Sequence, residues 1–234
     1  MLIEVLSGAA CAAAGVMAYG VRGRSARLFG RSVWRGAGDR PAIALTFDDG
    51  PSEATPELLG VLERDGVRAT FFQCGRNVER LPEVARAVAA AGHEIGNHSH
   101  THPRFYFRTP GFLYEELARA QEAIGEVTGA RPALFRAPCG TRWPGLGKAQ
   151  RRLRLLGVMW TVIGRDWKLP AEAILARLLR GAARGAIFCL HDGRELRPQP
   201  DVRPMLEAVR RLIPELRAQG YHFETVSELL CPRN

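Results

Sequence analysis

Two carboxylates stand side by side in Thr46-Phe47-Asp48-Asp49-Gly50-Pro51, after a β-like run at residues 42–47 and before a Gly-Pro stop. The end of a strand is where open α/β sheets and barrels carry their chemistry. Side chains alternate along a strand, so Asp48 and Asp49 can serve one site only if the turn reorients one of them. A second cluster, Asn97-His98-Ser99-His100-Thr101-His102, follows another strand-like run. One helical turn there would stack His98 and His102 on one face, as in many two-histidine metal sites; an extended backbone would align His98, His100 and His102 instead. With Asp49 as third ligand the set is two neutral imidazoles and one carboxylate. Open positions for water and substrate would make that a catalytic centre rather than a closed structural one. Taken singly, the strings also read as a solvated Asp-Gly turn and a polar loop.

The elements that must position these residues follow from hydrophobic periodicity. Short apolar runs at 42–47, 69–73, 94–97, 134–136, 158–161, 186–190 and 221–224 read as strands. Amphipathic stretches at 56–65, 82–91, 111–127, 147–156, 171–179 and 202–219 read as helices between them. In the second of these, Leu81, Val84 and Val88 recur at helical spacing before a Gly92 stop. Alternating β and α elements imply parallel strands covered by helices. The expected fold is α/β, a single distorted (β/α)7-type barrel with an N-terminal hydrophobic helix. His93, ahead of a strand, reads as a packed structural histidine, and Trp143 and Trp160 as packing or rim aromatics.

The chain of 234 residues, 46% hydrophobic, is long enough for one sizeable core. Its net charge of +9 is almost wholly arginine, since Lys148 and Lys168 are the only lysines. The arginines are scattered, with no basic cluster interleaved with aromatics, so nucleic acid is not the expected partner; an anionic cell wall or membrane surface suits the charge. Five cysteines without C-x-x-C spacing indicate neither a disulfide framework nor a structural zinc site. Residues 2–21 are apolar apart from Glu4 and Ser7 and are followed by Arg22, Arg24, Arg27, Arg31, Arg35 and Arg40. The apolar stretch is about the length that spans a bilayer, so residues 1–40 read as an anchor-like or signal-like segment with a basic linker ahead of a domain at 41–234. Positive charge on the C-terminal flank favours a cytoplasmic domain.

Five ordered motifs give the chain its resemblance to a known family. These are Thr46-Phe47-Asp48-Asp49-Gly50-Pro51, His98-Ser99-His100-Thr101-His102, Arg136-Ala137-Pro138-Cys139-Gly140, Asp166-Trp167 and Cys189-Leu190-His191-Asp192-Gly193. From about Pro41 to Leu230 the chain resembles the polysaccharide deacetylases of carbohydrate esterase family 4, which share the NodB homology domain. The resemblance implies that Asp49, His98 and His102 bind a divalent metal, usually zinc, with cobalt an alternative. It implies Asp48 as general base held by Arg136, and His191 as general acid oriented by Asp166. Amide hydrolysis needs activated water, a donor to the oxyanion and a proton for the leaving amine; the metal, the backbone N–H at Cys139 and His191 would provide them. Trp167 and residue 189 would line the acetyl pocket, and Cys139 one wall of the sugar groove.

Cys139 stands where the family usually has tyrosine, and Cys189 where it usually has leucine. The first change removes one wall of the groove, and the second leaves a smaller, still mostly apolar side chain. Both thiols would border the pocket, open to oxidation or to a soft metal. The expected activity is metal-dependent removal of N-acetyl groups from N-acetylglucosamine polymers or oligomers (chitin, chitooligosaccharide or peptidoglycan), releasing acetate. The alternatives are O-deacetylation of acetylated xylan and a noncatalytic glycan-binding scaffold of the same fold. The expected setting is extracytoplasmic, membrane-anchored or secreted, with an acetylated glycan as partner, a monomeric chain and cytoplasmic placement as the alternative.

Overall fold

A computed structural model describes residues 2–231; for residues 2–7 and 9 it describes the backbone alone. In chain order the elements are α1 (Leu2–Arg22), β1 (Ser32–Val33), β2 (Ala42–Asp48), α2 (Thr55–Arg64), β3 (Thr70–Gln73), α3 (Gly75–Arg80), α4 (Pro82–Ala90), β4 (Glu94–Asn97) and α5 (Pro110–Thr128). Then follow β5 (Leu134–Phe135), a 3-10 turn (Pro138–Gly140), α6 (Leu146–Leu153), β6 (Leu156–Val158), β7 (Val162–Ile163), α7 (Ala171–Arg180), β8 (Ala186–His191), α8 (Arg203–Ala218), β9 (His222–Phe223) and α9 (Val226–Leu230). The anchor expected at residues 2–21 falls partly on side chains outside the described residues. Among the described residues no helix is long and apolar enough to cross a membrane.

Among the described residues nine strands form one sheet in the order β1-β6-β5-β4-β3-β2-β8-β7, with β9 also paired to β2. Every pairing is parallel. The path runs from β1 to β7 without closing, a curled half-barrel that fits the expected distorted barrel but carries nine strands among the described residues rather than seven. Two strands account for the difference. Ser32–Val33, inside the stretch expected as a linker, pairs with Gly157–Val158 of β6. The run expected as one strand at 158–161 instead lies between two, sharing Val158 with β6 and ending just before β7, and its Val158 and Met159 carbonyls accept from Arg136.

β2 is buried along its whole length, as befits a central strand with both faces covered. Ile43, Leu45 and Phe47 pack outward with Leu58, Phe71, Phe188 and Leu212 under the helices. Ala42 and Ala44 face the interior with Phe72, Val158 and Ile187. A period of two then carries Thr46 and Asp48 up the same inner wall. On β8 the same alternation places Ala186, Phe188 and Leu190 outward and Ile187 inward, with Cys189 and His191 next on the inner series.

Candidate active site

The β2–β8 register pairs Asp48 with His191 directly, at the C-terminal ends of adjoining strands. Asp48 Oδ1 accepts a 2.6 Å bond from Nη1 of Arg136. That guanidinium is fully buried, bonds Thr46 Oγ1 at 2.7 Å and lies over the Phe72 ring at 4.2 Å, so its geometry is over-determined. His191 is oriented by Asp166, whose Oδ1 lies 2.9 Å from Nδ1 while Oδ2 accepts the His191 backbone N–H at 2.9 Å. Burial pushes the His191 pKa down, but the Asp166 carboxylate outweighs it and lifts the imidazole to about 9. The ring is therefore cationic at neutral pH, the form that can donate a proton. A cation bound beside Asp49 would cancel part of that carboxylate's contribution and bring the value down.

Asp49 would follow Asp48 onto the opposite face, but its φ of 72° turns the carboxylate back into the groove. Asn77 Nδ2 bonds its carbonyl oxygen at 2.7 Å, and the Glu195 N–H bonds its Oδ2 at 2.9 Å. Oδ1 is left with His98 Nε2 at 3.2 Å and His102 Nε2 at 3.1 Å, yet it is buried and makes no hydrogen bond. The Nδ1 of His98 faces the Arg136 carbonyl at 2.9 Å, which fixes the N–H there and leaves the Nε2 lone pair for a metal. Burial pushes the Asp49 carboxyl up, but His102 and His98 outweigh it and hold Asp49 well below the usual carboxylate range. Burial pushes His102 down, but Asp49 outweighs it, so its net shift is upward. A buried acid with an unbonded oxygen facing two imidazole nitrogens is a ligand set that fits a divalent cation.

The loop carrying the histidines is neither a helical turn nor an extended strand. Ser99 and His102 both have positive φ, 64° and 55°, and the two ligand rings lie 5.0 Å apart. His100 points elsewhere, with Nε2 2.9 Å from Arg119. Asn97 and Glu116, neither of which the sequence marked as a positioning residue, hold this loop. The Asn97 side chain accepts from the Ser99 N–H at 2.8 Å, and Glu116 of α5 accepts from the N–H groups of His100 and Thr101 at 3.1 and 2.8 Å. Asn97 directly precedes the histidine motif and could have been found as a turn-forming residue; Glu116, a helix away, left no local signal.

Asp48, Asp49, His98, His102, Cys139, Trp167, Cys189 and His191 all line one groove of about 750 Å³. Trp167 is half exposed and meets the His191 ring edge-on at 5.1 Å, while Cys189 is buried with Sγ 3.4 Å from Asp48 Oδ2. Cys139 is exposed, in the left-handed region (φ 53°) and beside Arg104. His93 is packed as expected, against Phe71, with Nδ1 accepting the Ala69 N–H at 3.2 Å. Trp160 lines the groove, and Trp143 stacks with Phe107 away from it.

A half-barrel of parallel strands with an acid and two imidazoles converging in its groove, flanked by a carboxylate and a carboxylate-held imidazole, fits the class of metal-assisted hydrolytic enzymes. The family model for polysaccharide deacetylase matches residues 35–157, and the chain belongs to that family. It is 35% identical over 205 residues to a peptidoglycan-N-acetylglucosamine deacetylase of Bacillus cereus, spanning 86% of this chain and 93% of that one. It is 36% identical over 197 residues to a chitooligosaccharide deacetylase of a Bradyrhizobium species, spanning 80% and 90%. Among solved structures it is similar, with TM-score 0.79 and 28% identity over 87% of this chain and 70% of that one, to a family 4 pseudoenzyme of Bacillus anthracis, a mutant of which has restored enzymatic activity.

Proposed function

We propose that this protein is a metal-dependent deacetylase that removes N-acetyl groups from N-acetylglucosamine-containing glycans, peptidoglycan or chitooligosaccharide, releasing acetate and a free amine. The observation that carries the reading is the unbonded Asp49 Oδ1 facing two histidine nitrogens at 3.1 and 3.2 Å, within a groove that also holds Asp48 and His191. Asp49, His98 and His102 would hold the cation, with zinc the first choice of metal and cobalt the second. When bound, a divalent ion there polarises the acetyl carbonyl and makes the attacking water more acidic.

The chain's own residues do the rest. Asp48, positioned by Arg136, accepts the proton of the attacking water. The Cys139 backbone N–H, at the groove wall, donates to the developing oxyanion. His191, its Nδ1 held by Asp166, donates from Nε2 to the departing nitrogen. Trp167 and Cys189 enclose the acetyl methyl.

The pseudoenzyme relative makes a noncatalytic scaffold the concrete rival. The presence in one groove of Asp48, His191 and the ligand triad favours catalysis, since a binding module needs neither acid nor base. A peptidoglycan substrate would place the domain outside the cytoplasmic membrane, either secreted or held there through residues 1–40, with residues 41–234 as the deacetylase domain. The test is mass spectrometry of N-acetylchitooligosaccharides, muropeptides and acetylated xylan after incubation with protein carrying one equivalent of zinc. Loss of acetyl groups as free amines from either of the first two supports the reading. Turnover of xylan alone would assign an O-esterase, and turnover of none would assign the scaffold.

A further inference from the structure

Asp48 and Cys189 sit on the inner wall formed by β2 and β8, two residues out of register and so on the same face, and His191 stands directly opposite Asp48. An Asp48 carboxylate oxygen, the Cys189 sulfur and a ring nitrogen of His191 all lie within 4.8 Å of one another. Arg136 occupies Asp48 Oδ1, while Oδ2 faces the sulfur at 3.4 Å. Asp166 occupies His191 Nδ1, which leaves Nε2 to act as a ligand. The 3.4 Å between Oδ2 and Sγ is close to the edge of a zinc tetrahedron, about 3.5 Å for Zn–S and Zn–O bonds of roughly 2.3 and 2.0 Å. All three residues line the groove, His191 half-buried at its surface and Asp48 and Cys189 buried in its wall.

We propose that Asp48, Cys189 and His191 form a second cation site, selective for thiophilic divalent ions such as zinc, cobalt or cadmium, beside the Asp49–His98–His102 set. The donors are a carboxylate, a thiolate and an imidazole, a combination that favours soft or borderline ions over magnesium or calcium. Binding displaces the thiol proton and the His191 proton to solvent, and no other bond changes. An ion held there ties up the base and the acid together, so excess zinc switches the enzyme off. That consequence rests on the roles proposed above; the site itself does not. Cys139, exposed and beside Arg104, is not part of the cluster.

The experiment titrates cobalt into chelator-stripped protein, counting bound equivalents by dialysis and following the near-ultraviolet thiolate-to-cobalt charge-transfer absorption. The parent is expected to bind two equivalents, with the thiolate band growing in with one of them. Cys189→Ser and Cys189→Leu should each lose the band and one equivalent, while Cys139→Tyr keeps both; the serine variant guards against misfolding of the bulkier one. In the zinc form, acetate release should fall at least about tenfold as the second equivalent binds. A parent with no thiolate band at any loading, or a band that survives Cys189→Ser, overturns the site. A band without any acetate release at any loading would uphold the site and remove the inhibitory role with the deacetylase reading.

Discussion

Asp166 holds His191 at two points, ring and backbone, and this contact makes the imidazole a strong base near pH 9. Asp166→Asn keeps the shape and removes the charge, so the His191 pKa should fall by about 1–3 units. Loss of activity at alkaline pH, where His191 gives up its proton, should move down by a similar interval in a pH profile of kcat. The linkage has a definite sign. His191 is raised in the fold, so the pair's stabilisation of metal-free protein is full below about 6.5 and fades as pH rises through about 9. Thermal unfolding of parent and Asp166→Asn at pH 6 and pH 10 should therefore differ more at pH 6. Arg136 is fully buried against Asp48, and Arg136→Ala would leave a buried carboxylate unpaired. That should cost about 3–5 kcal/mol in denaturant unfolding, with Asp48→Asn in the same background recovering part of it. At His102 a raised pKa means that protons compete with metal: cation affinity should fall about tenfold per pH unit once pH drops below that value, as dialysis at graded pH would show.

The strand ends and the turns after them convert these residues into a site. A Cβ on Gly193 would run into the Asp49 backbone carbonyl, and one on Gly50 into the Asp192 carboxylate. Gly193→Ala should therefore displace Asp49 and weaken zinc binding by about 10–100-fold, with a smaller effect on overall folding; a competitive chelator titration measures it. The strand–helix alternation was legible because β2, β4, β8, α4, α5, α7 and α8 are long or strongly periodic. The ends of these elements shifted by no more than one residue, within the play of helix and strand boundaries. β1, α3 and α9 escaped because two to six residues carry too little period to read, and α9 depends on a Thr225–Glu228 capping box rather than on an apolar stripe. The reorientation of Asp49 was anticipated as a need of the Asp-Gly-Pro turn, while the positive φ of Ser99 and His102 was not. Glycine would have announced such angles; at Ser99 an Asn97 side-chain bond supports them instead.

At the scale of the molecule, the curled parallel sheet gathers residues from β2, the loop after β4, the segment after β5, and β8 into one groove, which no single stretch of sequence displays. That Asp49 would meet His98 and His102, and Asp48 meet His191, was nevertheless readable, because each lies at or just after a strand end in an ordered string of motifs. The groove volume and the seating of Cys189 against Asp48 depend on cross-strand register and had to come from the fold. Family membership extends to a pseudoenzyme, so the fold alone does not confer turnover. The central claim is that Asp49, His98 and His102 hold a cation without which no acetamide is cut. It is tested most directly by acetate release from N-acetylchitooligosaccharide by protein as purified, after chelator stripping, and after restoring one equivalent of zinc. The account predicts release, loss and recovery, with no recovery in His98→Ala or His102→Ala; release that persists in fully stripped protein would contradict it.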